Sequence, residues 1–168
     1  TVRVIGSYGD VIIIRHPWDG AAKLAAEYSP VPVINAGDGG HEHPTQTLCD
    51  LYTLRERHGT LKGLNVALCG DLAQGRTIHS LAFALARFGA NIIFVPGDGN
   101  EIPSHVLRRL EHTYHAHIRR EQLGILSALF DEAPSNDKSA TVDAIYITPS
   151  EPHQLSMSSI EGTTVKFQ

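Results

Sequence analysis

Residues 66–95 read VALCGDLAQGRTIHSLAFALARFGANIIFV, and this stretch decides the fold. It begins and ends with short, continuous apolar runs, which are typical of strands buried inside a parallel sheet. Between the runs, a turn that contains two glycines precedes apolar residues at helical spacing, from Ile78 to Phe88. A strand, a helix and a second strand in this order predict two parallel strands joined by a helical crossover.

The same alternation continues in both directions along the chain. Residues 11–14 are a continuous β-branched run, which predicts a strand buried on both faces of the sheet. Further strands are expected at residues 32–34, 117–118 and 144–147. Further helices are expected at residues 21–28, from Thr45 to about Gly59, at 102–110 and, weakly, at 123–130. Residues 131–140 are expected to form a loop, and no element is expected from 157 to 168. The fold class is therefore α/β with a parallel sheet.

Composition limits the classes of function. The chain has 168 residues and a formal net charge of −4, without a run of Lys or Arg longer than a pair. Nucleic acid and anionic membrane surfaces are therefore not expected partners. No stretch approaches the roughly 18 apolar residues that span a bilayer. Cys49 and Cys69 lie in apolar surroundings and are expected to be reduced, so we expect a cytoplasmic protein.

Three polar segments follow predicted strands, at the edge where open α/β sheets bind ligands. The first is Arg15-His16-Pro17, in which the arginine could bind a phosphate or carbonyl oxygen or could simply reach solvent. The second is residues 40–46, where His43 and Gln46 flank a helix start. The third is residues 70–77, where Arg76 could hold a carboxylate or a small phosphate. The third segment has neither of the standard nucleotide-binding glycine patterns, so a nucleotide is disfavoured.

Residues 41 and 43 could also be interpreted as metal ligands. His41 and His43 have the spacing of a ligand pair, but no third ligand stands at a recognisable distance in the sequence. A solvent-exposed histidine beside a helix-capping turn is the plainer alternative. The expected metal is therefore none, and the residues that could form a site are Arg15, His43, Gln46 and Arg76.

Taken together, these segments resemble the aspartate carbamoyltransferase family. The matching stretches are IRHP at 14–17, GAAKLA at 20–25, VPVINAGDG at 31–39, HPTQTL at 43–48, DLYT at 50–53 and GRTIHSL at 75–81. Thr45 favours the aspartate branch, because the ornithine-specific relatives typically carry Cys in that place. The resemblance covers roughly residues 1–148.

The resemblance implies a Rossmann-like carbamoyltransferase fold, with two α/β units joined by a helix. It implies a partial carbamoyl-phosphate-binding domain at 1–58 and a truncated aspartate-binding domain at 59–168, with a hinge near 59–63. It also implies transfer of the carbamoyl group of carbamoyl phosphate to L-aspartate, a step of pyrimidine biosynthesis that needs no cofactor. Arg15 and His43 would hold the carbamoyl oxygen, Gln46 the carbamoyl nitrogen and Arg76 a substrate carboxylate. The implied assembly is a homotrimer, with regulatory or other subunits as an option.

The chain also departs from the family pattern. The Ser-Thr-Arg-Thr phosphate loop is absent, so we expect this chain to be the middle of a catalytic subunit. Pro149 and Glu151 stand where the family carries the Arg and Gln that bind aspartate. Two alternatives therefore stay open. One is a carbamoyltransferase with another amine acceptor, and the other is a non-catalytic or regulatory paralogue of the catalytic chain.

Overall fold

A computed structural model describes residues 1–122 and 142–148 of the chain. Its helices are α1 (Val2–Gly6), α2 (Ala21–Tyr28), α3 (Pro44–His58), α4 (Arg76–Arg87) and α5 (Ser104–Tyr114). Its strands are β1 (Ile12–His16), β2 (Val33–Asp38), β3 (Asn65–Gly70), β4 (Asn91–Pro96), β5 (Ile118–Arg120) and β6 (Ala144–Ile147). All strand pairs are parallel, which confirms the predicted α/β class. Among the described helices, none combines the length and apolar character needed to cross a bilayer.

The described residues of the second half of the chain form a four-stranded sheet in the order β5-β4-β3-β6. Every residue of β3 is buried, as the continuous apolar run predicts. Helices α3, α4 and α5 contribute to the apolar core on one face, around Leu68, Leu81 and Phe94. A smaller cluster of buried side chains, which includes Ala67 and Ile93, lies on the opposite face. Both faces of this sheet therefore carry buried apolar side chains.

Among the residues that the structure describes, β1 and β2 of the first half form a two-stranded sheet, and one face of this sheet is exposed. Helix α2 packs on both strands, but Ile13 is 67% exposed and its partner in the ladder, Ile34, is 44% exposed. The prediction of a first strand buried on both faces is therefore wrong. A run of β-branched residues predicts an extended chain but does not show how many faces are covered.

Helix α3 connects the two sheets. It packs against β2 at one side and against α4 at the other, and Leu51 and Leu54 enter the main core. Gly59 ends the helix in the left-handed conformation, with φ of 75°, which glycine adopts without a steric penalty. This helix therefore fixes where the polar residues at its N-terminus lie relative to the second sheet.

Several boundaries differ from the predicted ones. Helix α1 was not predicted, because five residues are too few to show an apolar period. Strand β1 continues through Arg15 and His16 rather than ending before them, because Pro17 first interrupts the ladder at its own missing N–H. The predicted helix at 123–130, the loop at 131–140 and residues 149–168, including Pro149 and Glu151, lie outside the described residues.

Candidate active site

A cavity of about 400 Å³ lies where the carboxyl end of β1 meets the amino end of α4. Arg15, His16 and Pro17 line it from the first sheet, and Arg76 lines it from the second half of the chain. Gly39, which follows β2, closes a third side. Two of the predicted site residues, Arg15 and Arg76, thus contribute positive charge to one cavity, although they are 61 positions apart (76 − 15) in the sequence.

The loop after β2 is held in one conformation by Asp38, which is 2% exposed. Its carboxylate accepts hydrogen bonds from Gly20 N–H at 2.9 Å and from Asn35 Nδ2 at 2.9 Å. Burial alone would raise the pKa of Asp38, but the hydrogen bonds from Asn35, Gly20 and His41 outweigh it and lower the pKa. Asp38 therefore stays ionised and fixes the wall of the cavity.

Gly39 allows the loop after β2 to lie close to the backbone of residues 17–19. It has φ of +57°, and a Cβ at this position would lie 2.8 Å from Asp19 N and 2.9 Å from Pro17 O. Its carbonyl oxygen accepts a hydrogen bond from Arg76 Nη1. The arginine of α4 is thereby tied to the loop of the first sheet, across the cavity.

The turn between β3 and α4 places Arg76 at the first position of its helix. Asp71 Oδ1 accepts from Ala73 N–H at 3.1 Å and from Gln74 N–H at 3.0 Å. A Cβ on Gly75 would lie 2.6 Å from Asp71 O, so the turn is too tight for a larger residue there. The positive end of the α4 dipole and the guanidinium therefore face the same space, an arrangement that favours an anion.

His43 caps helix α3 with its side chain. Its Nδ1 accepts the backbone N–H of Gln46 at 3.4 Å. A nitrogen that accepts is unprotonated, so the proton of the neutral ring sits on Nε2. Gly37 flanks the ring: a Cβ on this glycine would lie 3.7 Å from His43 Nε2. The cap therefore leaves His43 with one N–H donor for a ligand.

The electrostatic setting keeps His43 neutral. Burial lowers the pKa of His43 below its usual 6.5, and the positive charges of Arg76 and Arg15 lower it further. Both guanidinium groups thus act electrostatically on the ring, whereas His43 and Gln46 are not among the residues that line the cavity of Arg15 and Arg76. A guanidinium group and a neutral imidazole N–H can together hold an oxygen that gains negative charge, and a second guanidinium group can bind a carboxylate.

The backbone of His43 is fixed from the second half of the chain. Ser80, on α4, is 6% exposed. Its Oγ accepts the His43 N–H at 3.2 Å and donates to Glu42 Oε2 at 2.5 Å. The sequence contains Ser80 within the GRTIHSL stretch, but nothing local indicates this contact, because its partners lie 37 and 38 positions away.

Gln46 stands on the first turn of α3, next to His43. Its side chain is half-buried, and its Nε2 donates to Asp50 Oδ1 at 2.9 Å. Asp50 is 1% exposed, and sequence reasoning assigned it no role. The available signal was its spacing, since Asp50 lies four positions after Gln46 and shares the buried face of α3 with Leu51 and Leu54.

The described residues do not support the metal alternative. His41 Nδ1 lies 3.4 Å from Asp38 Oδ2, whereas His43 Nδ1 is used by the helix cap. Within residues 1–122 and 142–148, no group of three or more His, Cys, Asp or Glu side chains is placed to hold a metal ion.

Comparisons with known proteins agree on one family. Residues 1–56 match the model of the aspartate/ornithine carbamoyltransferase carbamoyl-P binding domain. The chain is 56% identical over 111 residues to the aspartate carbamoyltransferase catalytic subunit of Methanopyrus kandleri, covering 66% of this chain and 36% of that protein. It is 45% identical over 149 residues to that of Methanocella arvoryzae, covering 88% of this chain and 44% of the relative.

Solved structures give the same result. The catalytic subunit of M. jannaschii aspartate transcarbamoylase has a TM-score of 0.68 at 39% identity, covering 87% of this chain and 44% of that one. The Trypanosoma cruzi enzyme in complex with carbamoyl phosphate and aspartate has a TM-score of 0.72 at 33% identity, again covering 87% and 44%. The chain thus spans less than half the length of these relatives.

Proposed function

Because the chain belongs, over the part that it spans, to the aspartate carbamoyltransferase catalytic-subunit family, we propose that it serves carbamoyl transfer. Carbamoyl phosphate would donate its carbamoyl group to the amine of L-aspartate, giving N-carbamoyl-L-aspartate and phosphate. The observation that carries the proposal is the cavity that Arg15 and Arg76 line together. His43 supports it, because its cap bond leaves a single N–H donor on the neutral ring.

Each predicted site residue has a role in this reaction. Arg15 and His43 Nε2 would donate to the carbamoyl carbonyl oxygen, which becomes more negative as the amine attacks the carbon. Gln46 would accept from the carbamoyl NH₂ group. Arg76 would bind a carboxylate of aspartate. The carbon–oxygen bond to phosphate breaks as the new carbon–nitrogen bond forms, and the departing phosphate takes the amine proton, so catalysis rests on positioning and charge.

The domain and subunit assignments belong to the same proposal. Residues 1–58 would form part of the carbamoyl-phosphate-binding domain and residues 59–168 part of the aspartate-binding domain. The end of α3 at His58, followed by the left-handed Gly59, supports this division. A homotrimer is the proposed assembly, and cytoplasmic pyrimidine biosynthesis is the proposed setting.

The test is an assay of the purified protein for N-carbamoyl-L-aspartate, supplied with carbamoyl phosphate and L-aspartate. We expect His43→Ala and Arg76→Ala each to lower kcat/KM by about 100-fold or more, the usual cost of removing one charge-stabilising donor. His105→Ala and Arg57→Ala are matched controls, because both side chains are exposed on other parts of the helices. Unchanged rates in the two site variants would contradict the assignment.

A second candidate acceptor is favoured by Pro149 and Glu151 in the sequence. By the resemblance these two residues take the place of the family's Arg and Gln, so a glutamate would repel a dicarboxylate, and the lost arginine contact would cost about 2–5 kcal/mol. A screen of amines with carbamoyl phosphate separates the two candidates. Carbamoyl phosphate binding with turnover of another amine, but not of aspartate, would replace the acceptor. Absence of carbamoyl phosphate binding, together with binding to a catalytic subunit, would instead identify a non-catalytic paralogue.

A further inference from the structure

The side chain of Gln46 takes an unusual direction for its place in the helix. A glutamine at the third position of a helix commonly turns back and accepts the N–H of the capping residue. Here the N–H of the capping residue, His43, donates to Ser80 Oγ instead. The amide of Gln46 turns forward and donates to Asp50 Oδ1 at 2.9 Å, four residues later. Ser80 thus makes the Gln46 side chain available for another purpose.

Asp50 decides which end of the Gln46 amide faces away from it. The Asp50 carboxylate oxygen Oδ1 accepts this hydrogen bond, so Gln46 presents its NH₂ group to Asp50. The amide oxygen, Oε1, is then on the other side. Within the described part of the chain, no hydrogen bond to Gln46 Oε1 is formed. Since Gln46 is only half-buried, this oxygen is an acceptor that a ligand N–H group can reach.

Asp50 is not a favourable residue for stability at this place. Its Oδ2 is buried without a hydrogen-bond partner among the described residues. Burial raises the pKa of the Asp50 carboxyl, and the hydrogen bond from Gln46 opposes that rise only in part. A buried polar atom without a partner costs about 1–3 kcal/mol. Packing alone therefore does not explain why a carboxylate occupies this buried position.

We propose that Asp50 is a positioning residue that aims the Gln46 amide oxygen at the ligand, so that the site selects acyl phosphates that carry an NH₂ group. The inference rests on the proposed function, because the ligand group that Gln46 would bind is the carbamoyl NH₂. An acyl phosphate with a methyl group in the same place offers Gln46 no donor. An asparagine at position 50 would remove the selection, since its amide can donate to Gln46 Oε1 as well as accept from Nε2.

Two stable probes test this directly. Phosphonoacetamide and acetonylphosphonate differ only in an NH₂ or a CH₃ group beside the carbonyl, and neither hydrolyses. Calorimetry with the protein is expected to show a preference for phosphonoacetamide. Asp50→Asn is expected to reduce this preference about tenfold, near the upper range for one hydrogen bond, while the affinity for acetonylphosphonate stays the same. If Asp50 had a merely structural role, Asp50→Asn would lower the affinity for both probes together.

Two further variants complete the test. Asp143→Asn is the matched control, because Asp143 Oδ2 accepts the Asn65 N–H at 2.8 Å at the far end of the sheet; it should keep the preference. The double variant Gln46→Glu with Asp50→Asn should regain much of it, because the introduced asparagine amide can donate to one oxygen of the introduced glutamate and leave the other as acceptor. This rescue also shows that the single variant lost orientation rather than the fold.

The outcomes separate the two proposals. If Asp50→Asn keeps the full preference, or lowers the affinity for both probes equally, the role assigned to Asp50 is wrong and the proposed function stands. If the unmodified protein binds phosphonoacetamide no better than acetonylphosphonate, the selection by Gln46 is wrong. If it binds neither probe, the proposed function and the inference both fail.

Discussion

Replacing Ser80 with alanine tests whether the two halves of the site are held together by one hydroxyl. Ser80 Oγ makes two hydrogen bonds, accepting from His43 N–H and donating to Glu42. Alanine removes both and leaves the His43 N–H without its partner. The net contribution of one hydrogen bond to stability is about 0.5–1.5 kcal/mol between neutral groups and about 1.5–3 kcal/mol when one group is charged. Partial replacement by water reduces their sum, so we expect the free energy of unfolding to fall by about 2 kcal/mol.

The assay is thermal unfolding followed by circular dichroism, with urea unfolding as a second measurement. For a chain of this size, about 2 kcal/mol corresponds to a decrease in Tm of about 4–8 °C. Ser7→Ala is the matched control, because Ser7 Oγ donates to the Val4 carbonyl on an exposed turn. Equal Tm values for Ser80→Ala and Ser7→Ala would refute the reasoning that the hydroxyl links α3 to α4.

Three other predictions concern pH, backbone strain and thiol reactivity. The pKa of His43 is lowered in the folded state, which therefore prefers the neutral ring. The neutral ring's contribution to the free energy of unfolding is present above pH 6.5 and is lost as the pH falls below that value. His43→Asn, which can cap the helix but does not titrate, should make the free energy of unfolding, measured with urea, depend less on pH in this range. Gly70→Ala should lower the free energy of unfolding by about 2 kcal/mol or more, because φ is +102° and a Cβ would lie 2.7 Å from Thr148 Oγ1; a smaller loss in urea unfolding would contradict this. In the native protein, Ellman's reagent should modify the exposed Cys49 and leave Cys69 unmodified, because burial raises the pKa of the Cys69 thiol to about 12; a Cys49→Ser variant that still reacts at once would disprove it.

Much of the fold could be predicted because its signals are local. The apolar runs at 66–69 and 92–95 predicted β3 and β4, and the helical spacing after Arg76 predicted α4. The sequence also indicated that polar residues gather at strand ends and helix starts, since that edge is common to parallel sheets. The approach of Arg15 and Arg76 to one cavity follows from this rule.

The remaining features depend on contacts between distant parts of the chain. Ser80 looks like an ordinary residue of α4 until its contact with His43 is seen. Asp50 lies four positions after Gln46, but only the structure shows that its partner is the Gln46 amide. The exposure of Ile13 could not be predicted either, because a β-branched run looks the same whether one face or both are covered.

The small first sheet has a consequence for handling the protein in solution. Within residues 1–122 and 142–148, β1 and β2 form a ladder of two strands, and the paired Ile13 and Ile34 expose apolar side chains on one side. An unpaired strand edge beside exposed β-branched residues is a template to which another extended chain, such as a second copy of this protein, can add as a new strand. Light scattering is therefore expected to rise with protein concentration before any loss of helix is visible, and charged substitutions at Ile13 should suppress that rise.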